Sequence, residues 1–229
     1  MECWNQCQCL KKFISEVIIV FWVQKQKTSI MKYLIVPLIL TLASCSNPAD
    51  STVDAKVAEP TEPAISKNGI TYVFTKESTI GFIGSKVTGS REGGFKIFTG
   101  SFDLKGGEPQ SGEFTIDMNS TWSDDERLTK HLKAVDFFDV DNYAETKFMA
   151  TNFSKGNESK YELSGNLTLR GITKNITFPT QVTHNDNSVT LKAEFDINRQ
   201  DFGISYPGKA DDLIRDEVII KLNLVAQAQ

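Results

Sequence analysis

The chain has 229 residues, 40% hydrophobic, 24% charged and 10% aromatic, with a formal net charge of −4. That composition excludes a disordered chain and a multi-pass membrane protein, and the acidic balance removes the basic footprint of a nucleic-acid binder. The four cysteines (Cys3, Cys7, Cys9, Cys45) lie in the first fifth, and the only histidines are His131 and His184, so the rest of the chain holds neither a disulfide framework nor a cysteine- or multi-histidine metal centre.

At the front, Lys32 precedes an apolar run of eleven residues, Tyr33 to Ala43, followed by Ser44 and Cys45. One positive charge, a short greasy run and small residues make an export signal too short to span a bilayer comfortably. The ending Leu42-Ala43-Ser44-Cys45 resembles the lipobox of bacterial lipoproteins, which implies that the cysteine is lipidated and becomes the mature N-terminus. An ordinary secretory signal with an incidental cysteine, or a short anchor that stays on, is the plainer alternative. Met31 begins a complete signal by itself, so residues 1–30, with their own apolar run at Phe13–Val23, are expected to be a start-site artefact within a leader of residues 1–44, a longer native leader being the alternative. Cleavage before Cys45 leaves 185 residues with 20 basic and 27 acidic side chains, a net charge of −7. Such a chain has no polybasic grip on anionic lipid, and attachment falls to the acyl chains. Ser46 to Ser66 carries Pro48, Pro60 and Pro63 and no aromatic residue. Residues 45–68 are therefore expected to form a flexible tether, about 25 Å from end to end.

From Gly69 to the end, residues 69–229, the dominant period is two. Tyr161, Leu163, Gly165, Leu167 and Leu169 alternate with polar residues, as do Val189 to Ile197, Val218 to Ala226, and Phe114, Ile116 and Met118. Phe98, Phe102 and Leu104 share a face around Gly100, and Ile176, Phe178 and Val182 share another. One wet and one dry face per strand marks an antiparallel sheet. Turns are expected at Gly93-Gly94, Gly106-Gly107, Gly156-Asn157, Gly171 and Asn185-Asp186-Asn187. Eight or nine strands joined by short turns predict an all-β fold that closes into an eight-stranded antiparallel barrel or splits into a sandwich. One segment breaks the rhythm: Ser123-Asp-Asp-Glu126 reads as a capping box with Ser123 as the N-cap, followed by Leu128, Leu132 and Val135 at helical spacing. This short helical insert, with Phe137 and Phe138 behind it, is expected to lie across one end of the barrel, as a plug or as a lid.

No catalytic constellation emerges. His131 lies among Lys130 and Lys133, His184 opens a polar loop, Asp124-Asp125 is accounted for by helix capping, and Asp211-Asp212 reads as a solvated loop with at most a weak calcium contact. No cofactor and no metal are called for. Thirteen phenylalanines in the folded part form either a packed plug or the wall of an apolar tunnel, and composition does not choose between the two.

Three blocks carry a resemblance: His131-Leu-Lys-Ala-Val-Asp-Phe-Phe-Asp-Val140 with Phe148 beyond it, Gly165-Asn-Leu-Thr-Leu-Arg-Gly-Ile-Thr-Lys174, and Ile197-Asn-Arg-Gln-Asp-Phe-Gly-Ile204. In order and spacing they resemble the YceI family over about Gly69 to Ala226. The resemblance implies a lipocalin-like barrel around a long apolar pocket that binds extended amphiphiles, such as isoprenoid quinones, polyprenyl chains or fatty-acid derivatives, without catalysis. Many members are soluble periplasmic proteins, whereas this chain carries an anchor signal. The expected wall is Phe98, Phe102, Phe114, Ile116, Met118, Phe137, Phe138, Phe148, Leu163, Leu167, Leu169, Ile176, Phe178, Phe195, Ile197, Val218, Ile220 and Leu222. Each buried methylene contributes roughly 0.8 kcal/mol, so ten carbons give about 8 kcal/mol gross before association costs. Such a site would discriminate length and bulk better than headgroup. Arg170 and Arg199 are expected to make structural contacts rather than to hold a headgroup.

The leading expectation is an envelope lipoprotein that binds an isoprenoid or fatty-acid-like lipid for storage or transfer. It faces the periplasm, from the outer membrane more than the inner because Ser46 rather than Asp follows the cysteine. An enzyme acting at the barrel mouth through His131, Arg199 or Asp201 is one alternative; a scaffolding lipoprotein is the other. The sequence leaves monomer and homodimer both open.

Overall fold

The computed structural model describes residues 47–66, 69–185 and 187–229. The leader, the lipidation site Cys45 and the start-site question lie outside the described residues. Thirteen strands are present among those described: β1 (Lys56–Ala58), β2 (Ile70–Phe74), β3 (Thr79–Lys86), β4 (Gly89–Phe95), β5 (Phe98–Lys105), β6 (Glu108–Asp117), β7 (Thr121–Ser123), β8 (Glu145–Lys155), β9 (Lys160–Leu169), β10 (Ile172–His184), β11 (Ser188–Asn198), β12 (Gly208–Lys209) and β13 (Asp212–Ala228). One α-helix, α1 (Glu126–Lys133), stands among them.

The registers reduce these strands to eight staves. Ile70 pairs with Leu104 and Val73 with Ser101, while Ile80 pairs with Phe95 and Lys86 with Gly89. β2–β3 and β4–β5 are thus two long bent strands of one hairpin, and β6–β7 continues beside them, with Phe98 opposite Ile116 and Phe95 opposite Thr121. β8, β9, β10, β11 and β13 follow, each antiparallel to its predecessor. β13 then returns to β3 and β2, closing an eight-stranded antiparallel barrel. Alternation points Ile80 and Phe82, Phe114 and Ile116, Leu163 and Leu169, Phe195 and Ile197 to the inside, where they are buried.

The two ends of the barrel differ. Hairpin turns at Gly106-Gly107, at Gly156 to Ser159 and after Asn185 close one end, the base. Phe102, Leu104, Tyr161, Leu163, Leu191 and Leu224 fill it, with Phe74 and Phe102 at a ring separation of 5.0 Å. Tyr161 donates to Glu108 (2.5 Å), which also pairs with Lys155. The Lys155 and Tyr161 hydrogen bonds hold the Glu108 carboxyl below its usual range, while burial and Glu108 push the Tyr161 phenol up to about 12. At the other end, the mouth, stand α1, a 3-10 turn at Arg199–Phe202 and the segment leading into β13.

Three expectations need correction. Gly93-Gly94 is not a turn but lies inside β4, opposite Phe82 and Gly81. A Cβ on Gly93 would fall 2.4 Å from Phe82 Cζ, so the glycine is there to seat a phenyl ring. The cap of α1 is Asp125, whose carboxylate accepts from the Arg127 and Leu128 amides at 2.8 and 3.0 Å, holding its carboxyl below the usual value. Ser123 stays in β7, paired with Gly93, and Val135 lies beyond the helix and exposed.

Nor are the proline-bearing residues 47–66 a free tether. Pro48–Ser51 is a 3-10 turn capped by Asn47, and β1 pairs with Asn175 to Thr177 of β10. β10 and β11 pair only at Gln181–His184 with Val189–Lys192 and then part. The N-terminal segment fills that seam: Ala55 donates to the Asp196 carbonyl (2.9 Å), and the Asp196 amide donates to Val53 (3.1 Å). It then crosses β9, where Asn166 holds Thr61 by both its amide and its carbonyl (3.1 and 2.6 Å), and β8, where Ala64 donates to Ala150 (2.8 Å). The segment forms no core, as its composition dictates, yet its backbone finds partners on the splayed edges of the barrel.

Candidate functional site

The base is filled and the mouth half is not. A cavity of about 150 Å³ lies between the inward faces of the strands and the underside of α1. Ile80, Phe82 and Phe95 form one wall; Phe114, Ile116, Met118 and Phe148 a second; Leu167, Leu169, Ile176 and Phe178 a third; Phe195, Ile197, Val218, Ile220 and Leu222 close the circle. Leu132 of α1, Phe137, Phe138 and Ile204 form the roof. The strand period alone explains the wall, because residues at positions i and i+2 from every stave converge on the axis.

Aromatic rings shape the space. Phe114 stacks on Phe148 at 5.0 Å, and Phe178 on Phe195 at 3.9 Å. Phe148 lies over Gly165, where a Cβ would come within 2.1 Å of its Cζ, so the missing side chain on β9 is filled by a ring from β8. At the roof, Phe138 sits edge-on to Phe82 (6.3 Å) and 6.2 Å from Phe95. Phe138 is only half-buried, whereas Phe82 and Phe137 are buried.

Of the expected wall residues, all but Phe98, Phe102 and Leu163 line this cavity. Phe102 and Leu163 belong to the filled base, and Phe98 packs half-buried against the core. Sequence reading missed Ile80, Phe82 and Phe95, on strands broken by glycines and read in part as a turn. It also missed Leu132, Thr146, Ile204, Ile214, Arg199 and Arg215 as wall, for want of any signal that separates wall from ordinary core. Among the described residues, the Thr146 hydroxyl is buried without a partner.

The two arginines are structural. Arg199, 5% exposed, donates to the carbonyls of Ile204 (2.7 Å), Arg215 (3.1 Å) and Ile214 (3.5 Å) and to Asp216 Oδ1 (2.9 Å), tying the 3-10 turn to β13 across the mouth. Arg170 donates to the carbonyls of Gly203 and Val135, joining the β9–β10 turn to the chain beyond α1. His131 lies edge-on to Phe137 and Tyr206, both at 4.9 Å, with Nε2 3.3 Å from Asp136. It is not brought together with Asp201, which is exposed. Asp212 is engaged by Lys86 and Thr88. His131, Arg199 and Asp201 thus form no catalytic group around the cavity.

Comparison with known proteins agrees with this geometry. The chain is 29% identical over 164 residues to a UPF0312 protein of Pseudomonas putida (strain W619), covering 66% of this chain and 84% of that one. A UPF0312 protein of Pseudomonas fluorescens (strain SBW25) is 29% identical over 157 residues, with 62% and 81% covered. The crystal structure of Burkholderia cenocepacia BcnA superposes with a TM-score of 0.61 at 26% identity, covering 66% of this chain and 96% of BcnA. A polyisoprenoid-binding domain from Saccharophagus degradans, implicated in plant cell wall breakdown, shares the fold with a TM-score of 0.59 at 16% identity, covering 71% of this chain and all of that domain. Residues 72–226, the barrel from β2 to β13, match the YceI-like domain, and the chain belongs to that family.

Proposed function

We propose that this protein is an envelope lipoprotein, anchored through Cys45, that binds a long apolar amphiphile inside its barrel for storage or transfer. A polyisoprenoid or an isoprenoid quinone is the ligand class. The carrying observation is the largely apolar cavity in the mouth half of a barrel whose base is solid. Its likeness to a polyisoprenoid-binding domain supports the same reading. An apolar cavity of about 150 Å³ stays dry and takes a guest the size of benzene. A longer tail therefore needs the roof to yield, and Phe138, half-buried between Phe82 and Phe95, is the ring placed to turn aside.

Native mass spectrometry of the gently purified protein tests this, with Leu167→Trp as the control. The native protein is expected to carry an apolar ligand of several hundred daltons. Leu167→Trp drives an indole into the cavity and is expected to lose that ligand while keeping its β-sheet circular dichroism. A native protein that arrives empty and takes up neither quinones nor fatty acids would end the carrier reading.

A further inference from the structure

The N-terminal segment that wraps the barrel also limits how far from it a lipid at Cys45 could reach. Asn47 is buried on the outer wall: its side chain donates to Glu217 Oε2 and accepts from Ser85 Oγ, both at 3.2 Å. Ser85 stands two residues before Val87, at the mouth end of β3. Cys45 precedes Asn47 by two residues, a covalent reach of at most about 7 Å. Ser85 to Val87 along an extended strand is about 7 Å more. The acyl chains would thus hang from the mouth end of the barrel on a short leash, because residues that could have given slack are spent on the seam and on β9 and β8.

Beside that point two large apolar side chains stand exposed, flanked by the paired Lys86, Thr88 and Asp212. Val87 and Leu213, 53% and 50% exposed, are joined by the Val87 amide donating to the Leu213 carbonyl (3.2 Å). Val135, beyond α1, and Ile172, the first residue of β10, are exposed at the same end, where Arg170 ties the β9–β10 turn to the Val135 and Gly203 carbonyls. We propose that the mouth of the barrel docks on a lipid bilayer, with Val87, Leu213, Val135 and Ile172 seated at the headgroup boundary and the cavity opening toward the acyl chains. This rests on the lipoprotein reading of Cys45. The occupant is the bilayer because a lipidated Cys45 would be joined through two residues to Asn47, which is held at this end of the barrel. With a net charge of −7 on the mature chain, the attraction is apolar rather than electrostatic and needs no anionic lipid.

The experiment uses the full chain, expressed in a Gram-negative host, purified in its processed form and reconstituted into vesicles of phosphatidylcholine brominated along the acyl chains. After processing, Trp122 is the only tryptophan, so a Trp122→Phe background accepts single reporters, Leu213→Trp at the rim and Asn157→Trp at the base. A side chain seated roughly 5–10 Å into the headgroup boundary lies within reach of the bromines and is expected to lose roughly half its emission. The base reporter is expected to lose none, and raising the salt to change neither. Val87→Asp is expected to restore the rim emission while the circular dichroism is kept. Equal quenching at both ends, or none at the rim, overturns the proposal. So does a rim shielded in lipid-free solution by a dimer that Val87→Asp dissolves, which would assign the face to a second copy. The intact mass separates the two readings: an unmodified Cys45 removes the anchor and the docking together, whereas a lipidated Cys45 with a bright rim overturns the docking alone.

Discussion

Thr146 sets one hydroxyl into a wall whose other polar side chains are those of Arg199 and Arg215. It points inward from β8, opposite Ile116 of β6, and is 5% exposed with its hydroxyl unpartnered among the described residues. An unsatisfied buried hydroxyl costs about 1–3 kcal/mol. Thr146→Val keeps the shape and removes the cost, so the variant is expected to gain roughly 1 kcal/mol in urea unfolding. A variant less stable than the native protein would mean that the hydroxyl is satisfied after all. Arg199 is the opposite case, a buried cation whose donors are taken by three carbonyls and Asp216. No pattern in the sequence distinguishes the two, because each depends on which backbone atoms from distant segments arrive beside it. Composition and period place such residues inside; they do not supply their partners.

The elements were legible where one face is wet and the other dry. β9, β11 and β13 announce themselves by alternation, and most of their inward residues are buried in the barrel, with Leu167, Ala193, Val218 and Ile220 half-buried and the outward Asp196 and Ile219 buried from the other side. β3 and β4 were obscured by their glycines: Gly93-Gly94 reads as a turn until Phe82 is seen packed on Gly93 and the Trp122 ring beside Gly94. The N-terminal segment was illegible because it is held by edges rather than by a face. Its polar contacts include Thr52 donating to Asp196 Oδ2 (2.5 Å) and the carboxyl of Asp54 beside Asp196. Burial raises the Asp196 carboxyl above its usual value, the hydrogen bond and charge of Asp54 and the charge of Glu217 add to the rise, and the Thr52 hydroxyl opposes them. The folded chain therefore holds the Asp196 proton to higher pH than the unfolded chain does. Stability present below the ordinary aspartate range is lost as pH rises through the folded value. Asp196→Asn has no proton to lose there. Urea midpoints taken across this window should show the native protein falling relative to the variant as pH rises, with Glu108, Asp125 and Asp212 cancelling because both proteins carry them. A difference that does not change with pH would show that the seam holds no such carboxyl.

For the whole molecule, the division into a filled base and a hollow mouth makes tail length the variable to which binding responds. The solid base, with Phe102, Leu163 and Tyr161 in place, stops a tail from passing through the barrel, so a guest grows only toward the roof. A ligand that binds only the folded chain adds about 2.7 kcal/mol at a hundredfold excess over its Kd. For a domain of this size that raises Tm by roughly 5–10 °C. With the isoprenoid alcohols geraniol, farnesol and geranylgeraniol at equal free concentration, Tm is expected to rise with the first units, each buried methylene adding roughly 0.8 kcal/mol. The gain should then flatten once the tail meets Phe138, Phe82 and Phe95. Phe138→Ala removes the half-buried ring from the roof, so the flattening should move to longer alcohols, while the unliganded variant melts lower for the packing it has lost. Thermal shifts that ignore tail length in both proteins would mean that the cavity is not where the chains go, and that the ring at its roof guards nothing.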